Sequence, residues 1–89
     1  MSKHGLAIAE ALYDMAGRSV EVASAVTTLL ERERATLIDT LVRNGSLESE
    51  AKSAVDEFFL DHKNYLAKAC DVLKLRERQL NKARKSAQD

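Results

Sequence analysis

From residue 59 to residue 80, Phe59, Leu66, Leu73 and Leu80 recur every seven positions. That interval lays an apolar ridge along one side of an α-helix and calls for a second helix packed lengthwise against it. Val55, His62, Ala69, Arg76 and Ala83 run beside the ridge at the same interval. The N-terminal half repeats the arrangement, with Leu6, Tyr13, Val20, Thr27, Arg34 and Leu41 alongside Ala9, Ala16, Ala23, Leu30 and Leu37. Two lines per helix are the two seam positions of a heptad.

Chain breakers decide where one helix stops and the other starts. The 89 residues include no proline and three glycines. Gly17 disfavours a helix interior by about 1 kcal/mol relative to alanine, and Ser19 could cap a fresh start. The heptad phase nevertheless crosses Gly17 unshifted, whereas a loop would change it, so one continuous helix is expected rather than two. Asn44, Gly45 and Ser46 are a stronger stop: Gly45 suits a left-handed position after a helix, and Ser46 suits an N-cap ahead of Glu48 and Glu50. Ser2 is a candidate cap for the first helix, and Ser86 to Asp89 are expected to fray. The fold class is therefore all-α, a long antiparallel helical hairpin in one domain over residues 1–89, with helices spanning about 6–44 and 47–86 and a turn at 44–46.

Folding at Asn44 and Gly45 pairs positions whose numbers add to about 89, and the sizes then complement one another. Ala9 meets Leu80, Ala16 meets Leu73, Ala23 meets Leu66 and Leu30 meets Phe59. The other line contains polar layers: Tyr13 with Arg76 lying across it, Thr27 with His62, and Arg34 reaching towards Asp56 or Glu57. Thr27 and His62 interrupt apolar lines at mid-length, where a polar layer can set register.

A single hairpin leaves apolar side chains over. Ile8, Met15, Val22 and Leu29 form a further row, with Leu12 and Val26 beside it, and Phe58, Tyr65 and Val72 form the matching row on the second helix. Stripes this wide exceed a two-stranded seam and ask for another helical layer. The simplest supply is a second hairpin, giving a homodimeric four-helix bundle with these nine residues at its interface.

Composition excludes several classes of function. No apolar run approaches the roughly 18 residues of a membrane span. The single cysteine, Cys70, cannot pair within the chain and no apolar leader opens the sequence, which leads to the expectation of a cytoplasmic setting. Phosphate-loop, Cys-x-x-Cys, His-Glu-x-x-His and nucleophile-elbow patterns are missing. His62 and Cys70 stand eight residues apart, about 12 Å along a helix, too far to share one metal ion. Glu10 with Asp14 and Glu57 with Asp61 are carboxylate pairs of the kind that solvated helix faces produce. No catalytic, cofactor-binding or metal-binding residue is therefore assigned, and no cofactor is expected.

Fourteen basic residues balance fourteen acidic ones, so the whole chain does not attract polyanions. The second helix is polarised all the same. Residues 74 to 85 hold six cations against Glu77, a balance of +5, and residues 48 to 61 hold five anions against Lys52, a balance of −4. Lys74, Arg78, Lys82, Arg84 and Lys85 are the candidate contacts for a partner or for phosphate, although cations near a helix C-terminus also complement its dipole. The expected function is a small regulator or adaptor that self-associates and binds another protein through an exposed helix face. A nucleic-acid-binding hairpin dimer is the alternative, disfavoured by the neutral total charge.

Overall fold

The computed structural model describes residues 3–88; Ser2 and Asp89, and with them the expected cap and the last fraying residue, lie outside these. Two helices of equal length account for nearly all of them: α1, Lys3–Arg43, and α2, Glu48–Gln88. Among the described residues there is no strand, and no helix is long and apolar enough to cross a membrane. The helices lie side by side in a hairpin measuring 64 × 15 × 14 Å. Its radius of gyration is 19.5 Å, against about 12 Å for a compact domain of this length.

Helix α1 passes through Gly17 without a break, as the unshifted heptad phase requires. It ends in a Schellman motif. Gly45 takes a positive φ of 104° and donates to the Val42 carbonyl at 3.1 Å, while the Ser46 N–H donates to the Leu41 carbonyl at 3.0 Å. This places Ser46 one residue too early to cap α2. Leu47 occupies the cap position instead, its carbonyl accepting the first helical bond from Ala51 at 2.9 Å. At the far end α2 continues to Gln88, past the expected stop near residue 86.

The interface between the helices is thin and built from small side chains. Its buried residues are Ala16, Ala23, Ile38, Ala51, Val55, Leu80 and Ala83, four of them alanines. Alanines let the backbones approach, so the ridge residues Phe59, Leu66 and Leu73 stay half-buried while Leu80 closes the open end at 3% exposure. Among the described residues no large side chain is completely enclosed.

Near the turn the seam departs from a strict heptad. Ile38 is buried at 8% while Leu37, the expected seam residue, is 37% exposed. Opposite it, Ala51 and Val55 are buried and pack with Ile38 against Leu41. A straight helix lags about 20° behind a seven-residue repeat in each heptad. Two heptads after Ala23 that lag carries Leu37 off the seam and brings Ile38 onto it.

Candidate docking face

The polar layers settle how one side of the hairpin differs from the other. Arg34 reaches Asp56 through a two-pronged contact, Nε to Oδ1 at 2.9 Å and Nη2 to Oδ2 at 3.1 Å. This hydrogen bond, with the opposite charge beside it, holds the Asp56 carboxyl below its ordinary range and the Arg34 guanidinium above its own. Arg43 pairs with Asp39, and Lys52 with Glu48 at 3.1 Å. A groove on this side is lined by Arg34, Ile38, Asp39, Glu48 and Lys52, and another by Tyr13, Asp14, Gly17, Arg18 and Glu21. Both are charged. Arg76 does not lie across Tyr13 as expected; its Nη1 donates to Gln79 Oε1 of its own helix at 2.9 Å.

At mid-length the hydroxyl of Thr27 donates to the Ala23 carbonyl at 2.9 Å, and His62 Nε2 stands 3.1 Å from the same oxygen. The carbonyl only accepts, so the contact uses a proton on Nε2. Thr27 and His62 thus meet through a shared acceptor, the one imidazole-to-backbone bond spanning the helices among the described residues. The His62 ring stacks on Tyr65 with centroids 5.9 Å apart.

Tyr65 belongs to the opposite, apolar side. It is 56% exposed, with Phe58 and Val72 exposed in line with it, and on α1 Ile8, Met15, Val22 and Leu29 are exposed as well. Leu12 and Val26 are half-buried, forming the shoulder between this row and the seam. Shared grooves bring the rows of the two helices together. Met15, Arg18, Ser19, Val22 and Tyr65 line one; Ala16, Ser19, Tyr65, Lys68, Ala69 and Val72 line the next. Towards the turn, Leu30, Leu37, Leu41, Ala54 and Phe58 line a third, with a volume of about 290 Å³ and almost no polar surface. A strict heptad puts Leu30 and Leu37 in the seam and so conceals this groove; the lag of the helix behind the heptad is the signal that reveals it.

The five cations Lys74, Arg78, Lys82, Arg84 and Lys85 are all exposed. Among the described residues none of them forms an ion pair, although Glu10 and Asp14 lie at the same end of the hairpin. Cys70 is a half-buried free thiol. No group of three or more His, Cys, Asp or Glu among the described residues is arranged to hold a metal ion. The carboxylates of Glu10, Asp14, Glu57 and Asp61 are exposed to solvent.

No family model, curated protein or solved structure matches the chain.

Proposed function

We propose that this chain is a non-enzymatic interaction module: a cytoplasmic helical hairpin that pairs with a second copy into a four-helix bundle and serves as a small regulator or adaptor, presenting an outer helix face to another protein. The observation that carries this reading is the apolar side of the hairpin, where Ile8, Met15, Val22, Leu29, Phe58, Tyr65 and Val72 stand exposed in two parallel rows. A contiguous apolar surface in water is a binding surface or a liability for aggregation. The open, shallow grooves suit side-chain interdigitation better than enclosure of a substrate. The face also lies where a second hairpin would complete the layer that a thin alanine seam lacks.

Light scattering on the purified chain tests the reading. The expected mass is about twice 9.9 kDa, falling towards the monomer value on Tyr65→Asp, which places a charge in the middle of the face. A folded monomer at micromolar concentration, unchanged by that substitution, would remove the proposal.

The alternative, a nucleic-acid-binding dimer, draws on the five cations left without ion pairs. Mobility shifts at two salt concentrations separate the readings, because phosphate contacts lose affinity steeply as salt rises. Binding with that steep dependence would displace the interaction module, and no shift at low salt would leave it in place.

A further inference from the structure

We infer that the occupant of the apolar face is a second copy of this chain turned end for end, so that the turn of each hairpin lies beside the open end of the other. This rests on the self-association proposed above and adds its geometry. Three observations support it.

The first is area. The hairpin exposes 6741 Å², whereas a compact monomer of this mass exposes about 5,200 Å². The excess, about 1,500 Å², exceeds the roughly 800 Å² that each partner contributes to a standard stable interface. One further hairpin is enough to account for it.

The second is position. The exposed row of α2 is centred on Tyr65, and the row of α1, Ile8 to Leu29, on the stretch between Met15 and Val22. Both centres are near the middle of their helices, so a half-turn about the midpoint lays apolar surface on apolar surface.

The third is charge. Two copies can meet face to face about an axis along the hairpin or about one across it. An axis along the hairpin sets each α2 on its partner's α1 and brings both basic stretches to the same end. An axis across it sets α2 on the partner's α2 in opposite directions; Glu48, Lys52 and Asp56 lie on the charged side with partners of their own, so the charges that meet are those flanking the apolar row. Close to the axis, Asp61 and Lys68 flank Tyr65 by four and three residues, and the half-turn brings each level with the other's counterpart. Lys68 already lines the groove shared by Tyr65 and Val72. Apolar contact supplies the affinity, and complementary charge selects the orientation, since like charges placed together are repelled.

Pulsed electron–electron spin resonance on a nitroxide attached to the Ser49→Cys variant, with Cys70→Ser, reads the orientation directly. Ser49 is exposed and sits 16 residues from Tyr65. At 1.5 Å per residue, the end-for-end dimer separates the two labels by about 50 Å. The other orientation holds them within about 20 Å, two helix diameters. A label at Ala87→Cys, at the opposite end, repeats the measurement independently. Distances of about 50 Å or more at both sites are the expected result. Short distances at both would overturn the orientation while leaving self-association intact; a monomer mass by light scattering would overturn both and assign the face to a different protein.

Discussion

All three ion pairs among the described residues, Arg34–Asp56, Arg43–Asp39 and Lys52–Glu48, lie in the half of the hairpin that contains the turn. The same half holds the Schellman motif and the Ile38, Ala51 and Val55 cluster. In the open half, Ala16, Leu80 and Ala83 are the buried contacts, and five cations of α2 have no anionic partner. The turn-proximal half therefore holds every ion pair among the described residues, whereas the open half relies on close alanine packing. Loop closure makes the difference intelligible: contacts near a tight turn need little additional ordering, while those far from it must hold two long helices together by burial alone.

Substituting the buried leucine of the open half is expected to have the largest effect. Leu80→Ala should lower stability by about 2 to 5 kcal/mol, and Leu60→Ala, on an exposed position of the same helix, by no more than about 0.5 kcal/mol. Urea midpoints check the pair. Equal midpoints would mean that the open half is not packed as described.

At the boundary between the halves, the joint substitution Thr27→Leu with His62→Leu should raise the thermal midpoint and add about 1 kcal/mol or more to the free energy of unfolding, because it replaces a polar layer with apolar packing. It should also broaden the choice of oligomer, read by light scattering. A more stable variant with a single unchanged mass would show that the layer does not set register.

The glycines sharpen the comparison further, since an added Cβ meets open space at both Gly17 and Gly45. Only the backbone differs. Gly17→Ala, in a helical segment of the open half, should stabilise by about 1 kcal/mol. Gly45→Ala, at φ 104°, should destabilise by about 1 to 2 kcal/mol. Opposite signs in denaturant titrations are the expected result.

The smallest effect belongs to Arg34 and Asp56, both well exposed and screened by solvent. The depressed Asp56 value means that the contribution is present above the ordinary carboxylate range and is lost as pH falls through the folded-state value. The difference in urea midpoint between the parent and Asp56→Asn should therefore be small at pH 7 and vanish in acid. A difference that grew on acidification would refute the assignment.

Local sequence was sufficient for much of the architecture. The two long helices, the passage through Gly17, the stop at Gly45 and the reach of Arg34 to Asp56 follow from periodicity, glycine chemistry and spacing within a few turns. The exposure of Ile8, Met15, Val22, Leu29, Phe58, Tyr65 and Val72 was legible for the same reason, because these rows stand well away from the seam. Tertiary packing decided the rest. Which of Leu37 and Ile38 entered the core depended on the angular lag of a 3.6-residue helix behind a seven-residue repeat, which is small within one heptad and decisive after two. Val55 is buried as its place on the seam line requires, whereas the burial of Ala51 and the apolar groove beside Phe58 follow from that displacement. Ser46 does not cap α2 because the Schellman turn sets the helix start one residue later, with Leu47 at the cap position, and Arg76 had Gln79 within reach one turn away on its own helix. Residue types and spacing determined what each element would be; the accumulated rotation of two long helices determined which side chains met.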